Sequence, residues 1–469
     1  MSLFKKAEPL DKSSMMFSSK ALVKMMIPLI IQQMLNITVG VINSIMVSNA
    51  GEAAVSGVSL VNTMDGVLII FFTALVSGGS VIISQAVGKG DTKNISDAAK
   101  QLIYSATFMA FILTVAVLIF RKPLLSALFG DVEADVMASA HAYFLPIALS
   151  FPLLAITEAI HACFRAEGNT FISLVVSIFS NILVIIGNAI FVIAMELGAF
   201  GAALSTLCMR IITVVIVLVL IHSKKRMVRV QKLLHYKPDF RVIKNILHIG
   251  VPNGVENTLF QFGRLLTQTL IAMLPTTVIA AHSVALNIAN YQYAVNTAFC
   301  CAAITIVAQC IGANQVRQAK YYAKLLVGLE YLLMWVVIVL SVLFLRPLLS
   351  TYDVSQAARD FAYDLVISHS IVAALIYPLG FLFPAIFRAA GDVKTPLYVS
   401  TLSMWLVRIA FAYVLALDSI SFFGLFSFNG LGWGMWGVWV AMLLDWAVRA
   451  AIYLIRFLSN GWMKAKRLS

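Results

Sequence analysis

The chain has 469 residues, of which 61% are hydrophobic and only 12% are charged, with a net charge of +13. A soluble domain carries roughly a quarter of its residues as charged side chains, so most of this protein's surface must face lipid rather than water. The alternating ten-residue pattern of a membrane β-barrel is absent, which leaves a bundle of membrane-spanning helices. The basic residues lie in short segments between apolar runs, so we expect no nucleic-acid partner.

Apolar runs separated by Gly, Pro and charged residues predict twelve spans of about 20 residues or more. Those of the first half lie near 21–47, 57–84, 102–120, 140–163, 172–195 and 199–221. Those of the second half lie near 246–273, 279–308, 325–345, 364–387, 397–417 and 434–457. The first run is too long for the core of a signal peptide and lacks a small-residue cleavage site, so we expect an uncleaved span.

The distribution of lysine and arginine predicts the orientation. Between spans six and seven, eight basic residues accompany a single acid, Asp239, and positive charge in a short loop marks the cytoplasmic side. Because the number of spans is even, both termini should then lie in the cytoplasm. We expect the membrane to be the plasma or inner membrane of the cell. Lysines near the N-terminus and after span two, and Lys464, Lys466 and Arg467 near the C-terminus, agree with this orientation.

An internal repeat runs along the chain at an almost constant offset. Pro28 and Pro252 stand 224 positions apart, and so do the first residues of Gln85-Ala-Val-Gly88 and Gln309-Cys-Ile-Gly312. Arg165 and Arg388 occupy equivalent positions at an offset of 223. We therefore predict an all-α protein with two six-helix lobes, at 1–222 and 246–469, joined by a basic cytoplasmic linker at 223–245.

Six spans per repeat is an even number, so both copies enter the membrane from the same side. Their symmetry axis then lies along the membrane normal, and the lobes should superpose by a rotation of about 180°. Parallel repeats of this kind are typical of secondary transporters, in which one half rocks against the other around a central path.

Six motifs in order across the chain resemble those of the MATE (multidrug and toxic compound extrusion) family. They are Glu52-Ala-Ala-Val-Ser-Gly-Val-Ser59, Gly78-Gly-Ser-Val-Ile-Ile-Ser-Gln85, Phe164-Arg-Ala-Glu-Gly-Asn169, Gly250-Val-Pro-Asn-Gly-Val-Glu256, Phe387-Arg-Ala-Ala-Gly-Asp392 and Gly434-Met-Trp-Gly-Val-Trp439. The resemblance implies a V-shaped pair of bundles that exports organic, often cationic and amphipathic compounds against inward Na⁺ or H⁺, with no other cofactor.

The sequence departs from the family pattern where many members carry acids. The first-span position is Asn43 and the fifth-span position lies near Asn188. The seventh-span position is Phe260 and the tenth-span position is close to Tyr377. These neutral residues leave the choice between Na⁺ and H⁺ open.

Two intramembrane acids are therefore the main candidates for coupling, because a charge near the bilayer centre must face a partner or a cavity. Glu256 follows a Gly-Pro-Gly break and its repeat equivalent is the neutral Gln32; the alternative role is a structural ion pair with Arg264. Asp65 can complete a cation site in the first half or lie in the outer vestibule. Asn43, Asn188 and Gln32 complete the predicted cation-coupling set.

Other polar and aromatic residues have weaker assignments. We predict gate or structural roles for Glu158, Arg165, Arg388 and Arg408, with both Arg165 and Arg388 at cytoplasmic helix ends. The predicted substrate cavity contains Tyr291, Phe72, Tyr377 and Arg264, although core packing is the alternative for each aromatic residue. Asp445 and Arg449 are spaced for mutual neutralisation on the last span.

The sequence contains no HExxH, GxSxG or Walker motif, so neither an enzyme nor an ATP-driven pump is expected. No cysteine or histidine spacing predicts a metal site. The main alternative is a lipid-linked saccharide flippase of the same superfamily, which needs a basic cavity; a channel is less well supported because no pore loop interrupts a span. We expect a monomer whose partners are a small organic molecule and the bilayer.

Overall fold

The computed structural model describes residues 15–130, 132–223, 226–230, 237–352, 354–422 and 426–464. It is almost entirely α-helical. Several basic residues used to predict orientation lie outside the described residues, among them Lys5, Lys6, Lys12, Lys466 and Arg467. The same applies to linker positions 224–225 and 231–236.

The described residues of the first repeat form seven α-helices. They are α1 (Ser19–Ser48), α2 (Glu52–Lys89), α3 (Thr92–Phe129), α4 (Ala134–Leu149), α5 (Phe151–Ala166), α6 (Thr170–Asn188) and α7 (Gly198–Ile221). A π-helical segment, Ala189–Ala194, continues α6. The predicted fourth span is not one straight helix, because α4 and α5 meet at an angle of 47°. Pro146 and Pro152 flank this bend and each removes a backbone donor there.

Eight further α-helices form in the described part of the second repeat. They are α8 (Phe240–Ile271), α9 (Thr276–Gly312), α10 (Val316–Leu343), α11 (Leu345–Ser350), α12 (Gln356–Ala389), α13 (Lys394–Leu402), α14 (Ala410–Ala416) and α15 (Met435–Leu458). A π-helical segment, Ser403–Ile409, joins α13 to α14, and a short 3₁₀-helix, Gly461–Lys464, follows α15. An antiparallel hairpin of β1 (Ser419–Phe422) and β2 (Phe426–Asn429) occupies the insertion that lengthens the repeat offset to 236.

In the described part of the chain, ten helices are long and apolar enough to cross a membrane, and the bent α4–α5 pair makes eleven. Helix α8 is more polar because it contains Asn253, Glu256, Asn257 and Arg264, yet its 32 residues reach about 48 Å. It packs along α2 as the twelfth span. The predicted twelve-helix, two-lobe membrane fold is confirmed.

The two lobes share a core at one end only. We call this end, which carries Lys89, Lys93, Lys100, Lys320 and Lys324, the lysine-rich end. Here one hydrophobic core joins residues of both lobes, among them Ile83, Ile306 and Leu382. At the opposite end the described residues of the second lobe form a separate core that includes Ile271, Ala281 and Trp439. The lobes are therefore joined at the lysine-rich end and have independent interiors at the other.

Candidate functional site

Two equivalent hydrogen bonds, one from each lobe, join the lobes at the lysine-rich end. Gln85 Nε2 of α2 donates to the Ala389 carbonyl oxygen at the end of α12, at 3.1 Å. Its repeat equivalent, Gln309 Nε2 of α9, donates to the Ala166 carbonyl oxygen at the end of α5, at 2.7 Å. Each helix that ends in a Phe-Arg-Ala motif is thus held by a glutamine of the other lobe. This reciprocity is what a twofold axis between the lobes produces.

Two equivalent glycines allow α2 and α9 to pack closely against each other at this contact between the lobes. We call the contact around Gly88 and Gly312 the glycine seam. Gly88 packs on the backbone of Gln309, and Gly312 packs on the backbone of Gln85. A Cβ at either glycine would overlap the facing carbonyl oxygen. Only glycine permits this approach of α2 and α9.

Among the described residues, the contact between α2 and α8 is more extensive than its repeat equivalent between α1 and α9. Gly78 and Gly250 face each other across it, and Asn253 Nδ2 donates to the Ala74 carbonyl oxygen at 3.1 Å and to Ser77 Oγ at 3.3 Å. Asn253 lies one turn before Glu256, so the sequence Gly250-Val-Pro-Asn-Gly-Val-Glu256 places a carboxylate directly beside the interlobe contact.

The equivalent arginines of the two lobes, Arg165 and Arg388, pair with acids at different positions of the repeat. Glu256 does not pair with Arg264; its Oε2 lies 3.1 Å from Nη1 of Arg388 on α12. Arg165 lies 3.9 Å from Glu158 of its own helix, α5. The position equivalent to Glu256 is Gln32, which donates from Nε2 to Ser177 Oγ at 2.9 Å. In the described structure, the buried ion pair between α8 and α12 therefore has no equivalent between α1 and α5.

The first lobe contains an open polar cavity of about 180 Å³. Asn43 and Asn188 meet in it, with Asn188 Nδ2 donating to Asn43 Oδ1 at 3.1 Å. Tyr143 donates to Asn62 Oδ1 at 3.0 Å on the same wall. Asn188 Oδ1 is buried and has no hydrogen-bond partner among the described residues. The cavity offers amide oxygens to a cation, but none of its lining residues is charged.

Asp65 lies one turn beyond Asn62 on α2, and its charge faces Arg210 of α7. Arg210 Nη2 lies 3.9 Å from Asp65 Oδ2, and Arg210 Nη1 also donates a short hydrogen bond to Ser150 Oγ at the α4–α5 bend. Asp65 Oδ1 has no hydrogen-bond partner among the described residues. Asp65 is buried beside the first-lobe cavity and does not form part of its lining.

The second lobe has a cavity at the equivalent position. Its α8 residues Arg264, Thr267, Gln268 and Ile271 correspond, at an offset of 224, to Gly40, Asn43, Ser44 and Val47 of the first-lobe cavity. His282 corresponds in the same way to Val58. Arg408 and Trp439 complete a cavity of about 40 Å³. The repeat has thus produced two matching cavities with different chemistry.

Comparison with known proteins agrees with this duplicated architecture. The MatE family model matches the chain twice, at residues 28–190 and 252–414, two segments that start 224 residues apart. The chain belongs to the MATE family. It is therefore a membrane transporter protein, as its six ordered motifs indicated.

Related MATE proteins are distant in sequence and close in structure. The chain is 25% identical to a Bacillus subtilis protein named as an uncharacterized transporter, with 97% of this chain and 96% of the relative aligned. It is 24% identical to a Thermotoga maritima protein named as a probable multidrug resistance protein, over 99% and 97% of the two chains. The fold matches a multidrug resistance MATE transporter solved in an outward-facing conformation, with a TM-score of 0.82, 18% identity and coverage of 94% and 96%.

The predicted aromatic residues of the substrate cavity have different surroundings. Tyr291 is 38% exposed on α9, whereas Phe72 is 1% exposed and lies between Phe71 and Phe151 in the core. Tyr377 is buried between the rings of Tyr293 and Phe381. In this conformation Phe72 and Tyr377 pack in the interior of their lobes, whereas Tyr291 is exposed.

One intramembrane acid, Glu330 of α10, was not among the functional residues predicted from the sequence. Glu330 is fully buried, and Asn296 Nδ2 of α9 donates to its Oε1 at 2.6 Å. Its Oε2 has no hydrogen-bond partner among the described residues. The signal was available, because Glu330 interrupts the apolar run of predicted span nine.

Proposed function

We propose that this protein is a cation-coupled antiporter that exports organic compounds by alternating the access of its two lobes. The observation that carries the proposal is the Glu256–Arg388 ion pair, which lies one turn from the α2–α8 contact. A charge buried here must be neutralised by Arg388 or by a bound cation. Loading of Na⁺ or H⁺ on Glu256 would release Arg388 and change the contacts that hold the lobes together.

The substrate class follows from the relatives and remains a proposal. Several are named as probable multidrug resistance proteins, so we propose amphipathic organic drugs or toxic compounds for this chain as well. The family resemblance favours cationic compounds. Tyr291 supplies an accessible aromatic surface for such molecules.

We further propose that the lysine-rich end faces the cytoplasm of a plasma or inner membrane, which places both termini inside. Lobes at 1–222 and 246–469, connected by the basic segment 223–245, would then move as the two units of a monomer. With the lobes joined at the lysine-rich end, this conformation would be open to the outside.

The lipid-linked saccharide flippase is the second candidate, because Arg264 and Arg408 share one cavity. That cavity of about 40 Å³ can take a single anionic group but is too small for a diphosphate carrying a saccharide. The antiporter is therefore the better supported function.

The test is transport in inverted membrane vesicles under separately imposed Na⁺ and pH gradients, with a panel of fluorescent organic compounds that includes ethidium. We expect Glu256→Gln to abolish gradient-driven export. Glu158→Gln is the matched control, since it removes the acid beside the equivalent arginine of the first lobe. Removing one partner of a buried ion pair lowers stability by about 3–5 kcal/mol, because the other charge is left buried and unpaired. The double variant E256Q/R388Q removes both charges and so separates loss of coupling from loss of folding.

Export by Glu256→Gln with unchanged ion dependence would rule out Glu256 as the coupling acid and shift attention to Asp65. Export by the wild type without either gradient would contradict ion coupling itself.

A further inference from the structure

The second-lobe cavity carries positive charge that the described residues do not neutralise. Arg264 of α8 and Arg408 of the π-helical segment both line it. Neither arginine forms a salt bridge with a described carboxylate. Arg408 Nε is also buried without a hydrogen-bond partner among the described residues. An arginine in a membrane span costs at least about 2.5 kcal/mol, so two unneutralised ones require an explanation.

The nearest acid, Asp445, forms its ion pair with a third arginine through Oδ1, while its buried Oδ2 has no hydrogen-bond partner among the described residues. Asp445 of α15 lies 2.8 Å from Nε of Arg449 and accepts a hydrogen bond from Ser403 Oγ at 2.6 Å. Arg449 also donates from Nη2 to the Ser400 carbonyl oxygen at 3.1 Å. One carboxylate thus lies among three arginines and forms its salt bridge with Arg449.

The ring of Phe260 contacts two of these arginines, Arg449 and Arg408. The guanidinium carbons of Arg449 and Arg408 lie 5.0 Å and 5.9 Å from the centre of the Phe260 ring. A cation–π contact orients a guanidinium but leaves its N–H groups unsatisfied. Those donors match the two oxygens of a carboxylate or phosphate.

A neutral donor completes the cavity. Trp439 Nε1 donates to His282 Nδ1 at 3.0 Å, so the proton of the neutral imidazole lies on Nε2. The side chains of Thr267 and Gln268 add further polar groups to the lining. No aspartate or glutamate lines this cavity in the described structure. The lining therefore favours an anion over a cation.

The repeat shows that this chemistry belongs to one lobe. The equivalents of Arg264 and His282 in the first-lobe cavity are Gly40 and Val58, which carry no charge. The charge of this cavity is therefore specific to the second lobe.

We propose that the Arg264–Arg408 cavity binds the anionic group, a carboxylate or phosphate, of an amphipathic compound that the protein exports. Its role as a transport site rests on the proposed function, whereas anion binding does not. A compound with both a cationic and an anionic group fits the protein better than a simple organic cation, which the two arginines would repel. The volume of about 40 Å³ admits one such group, with the apolar body outside the cavity.

The test uses three probes with the same aromatic body: 2-naphthoate, 2-naphthylmethylammonium and 2-naphthalenemethanol. Their binding to purified protein in nanodiscs of zwitterionic lipid is measured by calorimetry. We expect 2-naphthoate to bind tightest and to lose about 10- to 100-fold in affinity in Arg264→Gln and in Arg408→Gln. Arg346→Gln is the control, because Arg346 stacks on Tyr363 in a different pocket and should leave the affinity unchanged.

Equal affinity of 2-naphthoate for the wild type and both cavity variants would overturn the proposal, as would tighter binding of the ammonium probe. Nanodiscs containing phosphatidylglycerol distinguish the source of the anion: unchanged binding supports a soluble organic anion, and competition would assign the cavity to a lipid headgroup instead. Equilibrium binding needs no ion gradient. A failure of this proposal is therefore separate from a failure of coupling through Glu256.

Discussion

The glycine seam makes a quantitative prediction about the conformational equilibrium. Replacing Gly88 or Gly312 by alanine places a methyl group against the carbonyl oxygen of Gln309 or Gln85. Overpacking a close contact of this kind costs about 1–3 kcal/mol. If the lobes separate at the lysine-rich end during transport, the cost applies only to the joined state. The separated state should then gain about 5- to 150-fold in relative population.

The perturbation has an internal control. Alanine gains about 0.5–1 kcal/mol over glycine within a helix, but it does so in both conformations and this term cancels. Gly328→Ala on α10 reports that term alone, because nothing lies within 4 Å of its added Cβ. The two seam glycines are equivalent in the repeat, so their variants should give similar shifts.

The assay is distance measurement by pulsed electron spin resonance between nitroxide labels at Lys93 of the first lobe and Lys324 of the second, both of which are exposed. Native cysteines are first replaced, and export by this background is verified. We expect a longer-distance population to grow in Gly88→Ala and Gly312→Ala and to stay at the wild-type level in Gly328→Ala. Distance distributions that do not change in either seam variant would refute lobe separation at this end.

Three further predictions concern the polar interior. Glu330→Gln retains an oxygen for Asn296 and should lower stability by less than about 1 kcal/mol, whereas Glu330→Ala leaves Asn296 unsatisfied beside a cavity and should cost about 2–5 kcal/mol, as thermal unfolding would measure. Asn43→Asp keeps an acceptor for Asn188 and adds a charge, so Na⁺ should raise the melting temperature of this variant more than that of the wild type. Tyr143→Phe removes one hydrogen bond and should cost about 0.5–1.5 kcal/mol in the same assay; no loss would show that water replaces it.

The sequence predicted the global arrangement because helix length, loop charge and repeat offset are properties of the chain alone. The offset that pairs Pro28 with Pro252 also pairs Asn43 with Thr267, the positions that face the two cavities. Apolar periodicity could not predict the bend at Ser150. The prolines on either side of that bend indicate a break in the helix. The continuous run of apolar residues nevertheless favoured the prediction of a single span.

Charge partners were harder to predict, because sequence spacing identifies neighbours only within one helix. Asp445 and Arg449 are four residues apart and form the expected pair. Glu256 and Arg388 are 132 residues apart and meet only because α8 and α12 approach each other in the fold. The partner expected for Glu256 from spacing, Arg264, lies in the second-lobe cavity instead.

The duplicated scaffold explains why the two lobes need different chemistry. Two identical cavities would bind the same ligand with the same affinity, and an exchanger that must respond to an ion and to a substrate gains nothing from such equivalence. In this chain the first-lobe cavity is lined by uncharged amides around Asn43 and Asn188, while the second has Arg264 and Arg408. The buried acid beside the interlobe contact also occurs in only one copy, as Glu256, with the neutral Gln32 at the equivalent position. A ligand that binds either feature therefore acts on one lobe and not the other, which is the differential interaction required to shift an equilibrium between two arrangements of the lobes.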